Sequence, residues 1–276
     1  MDRIKLIVSD IDGTLVDKSE TIPQELIRAV EACRKAGIIF ALATGRTTEL
    51  VKPFMEKLKI DAPCIAGNGA YIIQGSKCLT DHGFSIEPVR DIIKRADALG
   101  LTVTISTTEH ERALRETGYV REHKRFGNRF TELLPFESID WEHGRFQKVM
   151  IMDEERTGVI QEFTERLEPM RELYWITTFS SKAVELGPKN CNKATGVREL
   201  AGILNIPLRQ VMACGDYQND IEMLELAGYG VAVANALPEV KEKAVYVARN
   251  SYALGVAEAI KALCFSEYGG SHAGTP

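Results

Sequence analysis

The sequence of 276 residues lacks long hydrophobic runs and any excess of positive charge. Because no stretch of 18 consecutive apolar residues occurs, we expect no transmembrane helix. The formal net charge is -5, which argues against a general nucleic-acid-binding or membrane-surface protein. No apolar signal segment with a small-residue cleavage site follows Met1–Lys5, so we expect a cytoplasmic protein.

Cysteine and histidine are also few and scattered. The six cysteines form no CxxC pair, and the five histidines show no spacing that is typical of metal ligands. We therefore interpret most of the cysteines as small apolar core residues in a reducing environment.

The sequence does contain a repeated alternation of short apolar stretches and helical patterns in its two end regions. This alternation indicates a parallel sheet covered by helices. The first end region supplies three such strands, the last two at Ile38–Ala43 and Pro63–Ala66. The middle region is more mixed, and the pattern at Leu101–Ser106 favours an antiparallel strand with one solvated face. We predict an α/β fold: a Rossmann-like three-layer core with a parallel sheet, formed by residues 1–83 and 188–276, with an α+β domain inserted at 84–187.

The most informative motif is Asp10-Ile11-Asp12-Gly13-Thr14, which follows a buried strand predicted around Ile4–Val8. In open α/β sheets, ligands bind outside the carboxyl ends of the strands. Two carboxylates there are unfavourable unless a cation lies between them or one acid stays protonated. The motif therefore predicts a Mg²⁺ site with a nucleophile and an acid/base, and a polar turn is the alternative interpretation.

A second motif, Thr44-Gly45-Arg46, follows the strand predicted at Ile38–Ala43 and precedes a helix predicted at Thr48–Leu58. A hydroxyl and exposed amides at a helix N-terminus are well suited to bind phosphate. Thr44 is also an ordinary N-cap residue, so this motif alone leaves both interpretations open.

A third feature is Lys193, at the predicted start of a helix. The helix dipole disfavours a cation there, and an anionic substrate is one candidate for the compensating charge. The alternative is an exposed lysine in the loop Lys189–Lys193.

A fourth motif, Gly215–Asp220, follows a strand predicted at Gln210–Cys214 and contains Asp216, Asn219 and Asp220. Clustered oxygen ligands of this kind suit Mg²⁺. Asn219 or Asp220 is also a candidate helix N-cap, and the two roles are compatible.

The order of these motifs, DxDGT, TGR, a loop lysine and GDxxND, resembles the haloacid dehalogenase-like phosphohydrolases. Gly67-Asn68-Gly69-Ala70 is similar to the turn that precedes the large inserted cap domain in the Cof-type branch of that family. The resemblance covers essentially the whole chain. It implies that residues 84–187 are a cap domain, with hinges near Asp81–Phe84 and Gly187–Asn190.

The resemblance also implies a role for each motif residue. Asp10 is the nucleophile that forms an aspartyl phosphate, Asp12 is the general acid and base, and Lys193 neutralises charge. The implied phosphate or substrate ligands are Thr44, Gly45, Arg46, Asn68 and Asn219. The implied Mg²⁺ ligands are Asp10, Asp12, Asp216, Asn219 and Asp220.

The implied function is a Mg²⁺-dependent phosphatase for small phosphorylated metabolites such as sugar phosphates. We expect no nucleic-acid or membrane partner, and a monomer or weak homodimer. One alternative is a sugar phosphomutase of the same fold, which also carries DxDGT but returns the phosphoryl group to its substrate. The other is a non-catalytic binding protein, since a fold does not fix a function; the presence of both Asp10 and Asp12 counts against it.

Overall fold

The computed structural model describes residues 2–126, 130, 132–179 and 181–265. The chain divides into two compact units. The first takes in the described residues of Met1–Ala41 and Ala201–Pro276, and the second is Leu42–Leu200. The first unit therefore joins the two ends of the chain, whereas the second is continuous in sequence.

Strands and helices alternate along the described residues. The strands are β1 (Leu6–Ser9), β2 (Ile39–Leu42), β3 (Cys64–Ala66), β4 (Tyr71–Gln74), β5 (Lys77–Asp81), β6 (Thr102–Ser106), β7 (Glu111–Ala113), β8 (Lys148–Met152), β9 (Tyr174–Phe179), β10 (Ala183–Pro188), β11 (Val211–Gly215), β12 (Tyr229–Ala232) and β13 (Tyr246–Val247). The α-helices are α1 (Gln24–Lys35), α2 (Thr48–Leu58), α3 (Arg90–Ala98), α4 (Gly118–Phe126), α5 (Ile160–Leu167), α6 (Lys193–Ile203), α7 (Ile221–Leu226), α8 (Pro238–Lys243) and α9 (Tyr252–Cys264). Among these helices, none has the length and apolarity needed to cross a membrane.

A parallel sheet of order β13-β12-β11-β1-β2 organises the first unit. The register aligns Leu6 with Val211 and Ser9 with Cys214. All residues of β1 and β11 are buried, as expected for parallel strands that are covered on both faces. Because β1 and β11 are parallel neighbours, the loops that follow them begin side by side at one edge of the sheet.

The strand predicted at Pro63–Ala66 is present as β3, and it takes part in both parallel and antiparallel pairing. β3 pairs antiparallel with β4, which pairs in turn with β5. A single parallel bridge joins Ala43, directly after β2, to Ile65. This bridge, together with the Thr44 amide that donates to the Ile65 carbonyl at 2.9 Å, supports the parallel placement of the predicted third strand, and the turn at Gly67–Gly69 adds a small antiparallel sheet to it.

A five-stranded antiparallel sheet of order β7-β6-β8-β10-β9 lies in the second unit. One face carries Val103, Ile105, Val149 and Ile151, which pack with apolar residues of α3 and α5. The prediction of a solvated opposite face is wrong for β6, because every residue of that strand is buried. The sheet falls inside the predicted insert except for Pro188, and the exact domain boundaries at residues 84 and 187 stay a prediction.

Candidate active site

Three carboxylates lie together where β1 and β11 end. Asp10 directly follows β1, Asp216 directly follows β11, and Asp220 closes the loop that Asp216 begins. One carboxylate oxygen of each residue lies within 4.8 Å of those of the other two, and all three residues are buried. Buried carboxylates at this separation repel one another and lose hydration, so their charge requires compensation by a cation or a retained proton.

The chemistry of these donors indicates which cation fits. All three offer carboxylate oxygen, and within the described residues no cysteine or histidine joins the group. Oxygen-only ligand sets are selected by hard cations such as Mg²⁺, whereas zinc and copper favour nitrogen and sulfur ligands. The side chains of Asp10, Asp216 and Asp220 therefore fit a hard divalent cation.

Hydrogen bonds fix the orientation of two of the carboxylates. The Thr14 hydroxyl donates to Oδ1 of Asp216 at 2.7 Å. The backbone amides of Asp216 and Tyr217 donate to Oδ2 of Asp220 at 2.9 and 3.0 Å. Asp220 therefore organises the loop that carries Asp216. Thr14 was assigned no role from the sequence, although it belongs to the DxDGT motif.

Gly13 permits the close approach of the two loops. Its φ is +90°, and a Cβ atom added there would lie 2.3 Å from Oδ2 of Asp216. A side chain at this position would strain the backbone and collide with the Asp216 carboxylate. The Asn235 amide donates from Nδ2 to the Gly13 carbonyl at 2.8 Å, and its Oδ1 accepts from the Tyr252 amide at 2.9 Å. No sequence signal identifies Asn235, which lies 222 residues from Gly13.

Two further residues of the predicted metal set differ from these three in burial. Asp12 is exposed and forms a bridge with Val16. Asn219 is exposed in the short turn Gln218–Asp220. The structure therefore brings together Asp10, Asp216 and Asp220, and leaves Asp12 and Asn219 at the surface. An exposed carboxyl group is well placed to exchange protons with water.

In the second unit, the loop after β2 is joined to the turn after β3. Thr44 is fully buried, and its hydroxyl accepts from the Arg46 amide at 3.1 Å. The Thr44 carbonyl accepts from the Asn68 amide at 2.8 Å. A Cβ atom on Gly45 would lie 3.0 Å from Nδ2 of Asn68, so the Asn68 side chain lies directly over Gly45. Thr44, Gly45 and Asn68 thus form one compact polar corner.

The Arg46 side chain contacts the aromatic ring of Phe54. Its guanidinium carbon lies 4.8 Å from the centre of the Phe54 ring, which is the geometry of a cation–π contact. Phe54 belongs to α2, so the contact holds the Arg46 side chain against the helix that begins at Thr48.

The start of α6 packs against the same turn. A Cβ atom on Gly69, whose φ is +94°, would lie 2.0 Å from the carbonyl oxygen of Asn192. Asn192 caps α6, because its Oδ1 accepts from the Thr195 amide at 2.8 Å and its own amide donates to the Thr195 hydroxyl at 3.0 Å. This cap was not predicted, although the pattern Asn-x-x-Thr at the start of a helix indicates one.

Lys193, the first residue of α6, is only 2% exposed. The alternative of an exposed loop lysine is therefore wrong. A buried ammonium group at a helix N-terminus opposes the helix dipole, so its charge requires a compensating negative charge. Such a placement is typical of a group that interacts with an anion.

Known proteins are similar to this protein over nearly its whole chain. The profile of the haloacid dehalogenase-like hydrolase family matches residues 7–260. The 5-amino-6-(5-phospho-D-ribitylamino)uracil phosphatase YcsE of Bacillus subtilis is 30% identical over 262 residues, covering 94% of this chain and 95% of that protein. A phosphoglycolate phosphatase of Methanosarcina acetivorans is 29% identical over 267 residues, covering 95% of this chain and 97% of that protein.

A solved structure shows the same fold. It is a haloacid dehalogenase-like hydrolase from Bacteroides thetaiotaomicron, 24% identical, with a TM-score of 0.82 over 94% of this chain and 99% of that one. The predicted α/β fold is confirmed, and the alternative of a non-catalytic binding protein is not supported. The chain belongs to the haloacid dehalogenase-like hydrolase family, and it is a phosphoric monoester hydrolase.

Proposed function

We propose that the protein is a Mg²⁺-dependent phosphatase that hydrolyses small phosphorylated metabolites through an aspartyl-phosphate intermediate. The observation that carries this proposal is the buried group of Asp10, Asp216 and Asp220, in which Asp10 occupies the strand end expected of the nucleophile. The names of two relatives support the substrate class, since a phosphoribityl compound and phosphoglycolate are both small phosphate monoesters.

The proposed reaction has two displacements at phosphorus. In the first, a carboxylate oxygen of Asp10 attacks the phosphorus atom, the bond to the leaving alkoxide breaks, and Asp12 gives its proton to that alkoxide. In the second, Asp12 removes a proton from water, the water oxygen attacks the phosphorus atom, and the bond to Asp10 breaks. Phosphate leaves, and both aspartates return to their starting states. The exposure of Asp12 supports its exchange of protons.

The buried carboxylates have a second role in this proposal. Asp10, Asp216 and Asp220 would hold Mg²⁺, assisted by Asn219 and by the backbone carbonyl of Asp12. When bound, the cation neutralises negative charge on the phosphoryl oxygens. Thr14 supports this function by fixing the Asp216 carboxylate, and Asp220 does so by binding the amide of Asp216.

The polar corner of the second unit supplies the phosphate ligands in this proposal. The Thr44 hydroxyl and the Gly45 amide donate to phosphoryl oxygens, and the further proposed ligands are Arg46, Asn68 and Asn219. Lys193 stabilises the transferring phosphoryl group, since positive charge there is the main need of phosphoryl transfer. The burial of Lys193 supports this role, because burial strengthens its interaction with an anion.

The test is phosphate release from a panel of sugar phosphates, sugar-alcohol phosphates, phosphoglycolate, pyridoxal phosphate and flavin mononucleotide. Each is incubated with Mg²⁺ or with EDTA. Asp10→Asn removes the nucleophile, and Asp61→Asn is the matched control because Asp61 is exposed. We expect release that requires Mg²⁺, disappears in Asp10→Asn and persists in Asp61→Asn.

Two outcomes would contradict the proposal. Release that is unaffected by Asp10→Asn would exclude Asp10 as the nucleophile. Conversion of a hexose 1-phosphate into its isomer, without free phosphate, would favour the phosphomutase over the hydrolase.

We also propose that residues 84–187 form the cap domain of a core made of residues 1–83 and 188–276. The antiparallel sheet and its apolar face support this division, because they form a separate core. The Asp81 carboxylate accepts from the Gly83 amide at 2.7 Å and from Nε2 of Gln147 at 2.9 Å. Limited proteolysis tests the division, with first cleavage expected near Asp81–Phe84 or Gly187–Asn190.

A further inference from the structure

Three of the six cysteines lie near one another in the first unit. Cys33 belongs to α1, Cys214 to β11 and Cys264 to the end of α9, and all three are free thiols. The Cys33 side chain shares a hydrogen bond with Cys264 and interacts electrostatically with Cys214. The proposed phosphatase reaction uses none of these thiols, so the contact between Cys33 and Cys264 raises the question of a separate chemical role.

The packing of α1 against α9 brings Cys33 and Cys264 together. On α1, the buried residues Leu26, Val30 and Cys33 recur at helical spacing. On α9, Cys264 follows the buried Ile260 by about one turn. Each cysteine therefore continues the apolar stripe of its own helix, and the two stripes meet near the C-terminal ends of both helices.

Solvent reaches the two thiols unequally. Cys33 is fully buried, whereas Cys264 is half-buried. The backbone of Cys33 is held in place, because its carbonyl accepts from the Ile38 amide at 2.9 Å. Cys264 is the last residue of α9 and precedes the exposed Phe265, and helix ends are less constrained than helix interiors. A small oxidant therefore meets Cys264 first.

The hydrogen bond makes the two thiols chemically different. The bond from Cys33 lowers the pKa of the Cys264 thiol, although partial burial raises it. The same hydrogen bond, followed by burial, raises the pKa of the Cys33 thiol. Because the thiolate is the reactive form of cysteine, Cys264 is the nucleophile of the pair. Cys33 is then the thiol that reacts second.

A metal ion explains this arrangement less well than a covalent bond between the thiols. Thiolate metal sites in proteins use three or four closely spaced ligands. Among the residues that the structure describes, the group of possible metal ligands within 4.8 Å of one another consists of the three carboxylates at the ends of β1 and β11, and it includes no thiol. Two thiols in contact are instead the starting point for a disulfide.

We propose that Cys33 and Cys264 form a modification site for peroxides, at which oxidation joins α1 to α9 through a disulfide. First, the Cys264 thiolate attacks one peroxide oxygen, the O–O bond breaks, and hydroxide leaves; the sulfur is oxidised to a sulfenic acid. Next, the Cys33 thiol loses its proton and its sulfur attacks the Cys264 sulfur. The S–O bond breaks, and the departing hydroxide takes up that proton to form water. Two electrons pass from the thiols to the peroxide.

The disulfide would connect the two chain segments that build the first unit. α1 precedes the second unit in the sequence and α9 follows it, so the bond closes a loop that contains the whole second unit. Closing a long loop restricts the unfolded chain more than the folded chain. Oxidation should therefore raise the unfolding temperature. This inference goes beyond the proposed phosphatase function and does not depend on it.

The test uses the full-length protein, first reduced and then treated with hydrogen peroxide. Peptide mapping by mass spectrometry without a reductant identifies the linked cysteines, and thermal unfolding measures the effect on stability. The variants are Cys33→Ala and Cys264→Ser. The control is Cys78→Ser, because Cys78 is exposed and belongs to the second unit.

We expect a peptide that links Cys33 to Cys264 in the oxidised wild type and in Cys78→Ser, and in neither variant of the pair. The unfolding temperature of the wild type should rise by about 4–10 °C on oxidation and return when dithiothreitol is added. The two variants of the pair should show no such rise. In Cys33→Ala, oxidation of Cys264 should stop at the sulfenic acid, which dimedone traps.

The relative rates at Cys264 and Cys78 provide a test within the wild type. Burial, followed by the Asp81 carboxylate, raises the pKa of the Cys78 thiol. Dimedone should therefore label Cys264 at least about threefold faster than Cys78, although Cys78 is the more exposed of the two. Faster labelling of Cys78 would contradict the assignment of Cys264 as the nucleophile.

Two results of the mapping would overturn the inference. Oxidation of Cys78 without a bond between Cys33 and Cys264 would do so, because it shows that the oxidant was active. A bond from Cys264 to Cys214 would overturn the assignment of Cys33 as the second thiol. Both results are read from the wild type, so the inference stays testable even if Cys33→Ala fails to fold.

Discussion

The molecule positions its buried polar side chains in two different ways. One group lies in the loops that follow the parallel strands. The other lies on one face of the antiparallel sheet, the polar face, which carries Ser106, Glu111, Lys148 and Glu185. In the loops, backbone groups do the positioning: the amides of Asp216 and Tyr217 bind Asp220, and Gly13 leaves space for Asp216. On the polar face, strand register does it, because Ser106, Glu111 and Lys148 project from one face by alternation.

This difference has a consequence for mutation. A loop side chain depends on a backbone conformation that few residues adopt, so small changes in neighbouring residues displace it. A side chain on a strand keeps its direction as long as the sheet is intact, so its replacement changes chemistry more than geometry. We therefore expect loop substitutions to affect the reaction rate strongly, and polar-face substitutions to affect the pH dependence of stability.

The largest effect is expected for Lys193→Met at the start of α6. The variant removes a buried charge from the proposed phosphate site, and we expect kcat to fall by about a hundredfold to a thousandfold. Steady-state kinetics measures the loss. Lys189→Met is the control, since Lys189 is exposed in the same loop; equal losses in the two variants would contradict the role of Lys193.

Gly13→Ala tests the backbone side of the comparison. The added methyl group would lie 2.3 Å from Oδ2 of Asp216, at a φ of +90°. We expect a loss of about 1–3 kcal/mol in the free energy of unfolding, and a fall in kcat of about a hundredfold because the Asp216 carboxylate is displaced. Urea unfolding and phosphate release measure both.

Gly75→Ala is the matched control for that variant. Gly75 also has a positive φ, +60°, but apart from its two chain neighbours no heavy atom of the described residues lies within 4 Å of the added Cβ position. It should lose about 1 kcal/mol of stability and no activity. If both variants keep full activity, the close approach of Gly13 to Asp216 has no functional importance.

The grouping of Asp10 with Asp216 and Asp220 was predictable because the motifs that contain them follow apolar strands. Once Asp10 and Asp216 are assigned to the ends of parallel strands, their proximity follows from topology. The supporting residues were not predictable in the same way. Asn235 reaches the Gly13 carbonyl from 222 residues away, and only the folded chain reveals such a contact. Asn192, in contrast, carries a local capping pattern that sequence reasoning can use.

The limits of the fold prediction have a similar cause. The bounds of α2 and α8 agree with the sequence patterns at Thr48–Leu58 and Pro238–Lys243, because amphipathic spacing and helix starts are local signals. The antiparallel pairing of β3 with β4, and of β4 with β5, was not predicted, because it depends on the return of the chain through the turn at Gly67–Gly69. The alternation of apolar and polar residues in β6 led to the expectation of a solvated face. That expectation failed because the burial of Thr104 and Ser106 depends on the tertiary fold and not on the local pattern.

Thr14→Val is expected to have a smaller effect than Gly13→Ala. The substitution keeps the shape of the side chain and removes the hydroxyl that donates to Oδ1 of Asp216 at 2.7 Å. We expect kcat to fall by about tenfold, as for loss of one hydrogen bond to a charged group. The required Mg²⁺ concentration should also rise, because the Asp216 carboxylate loses its fixed orientation. A Mg²⁺ titration of phosphate release measures this shift; an unchanged midpoint would contradict the role of Thr14.

Glu185→Gln tests the side-chain half of the comparison, and its effect depends on pH. Burial raises the pKa of Glu185, the Lys148 ammonium lowers it, and the Glu111 carboxylate raises it, with burial the largest cause. Because the folded state holds this proton more tightly than the unfolded state, Glu185 lowers the free energy of unfolding as pH rises above its ordinary pKa. Glutamine cannot ionise, so the variant should gain stability relative to the wild type as pH rises above the ordinary carboxyl pKa, until the pH passes the raised pKa of Glu185. Urea unfolding at four pH values measures the gain, with Glu132→Gln as the exposed control. A difference that stays constant with pH would show that the polar face leaves Glu185 as free to ionise as a carboxyl group in water.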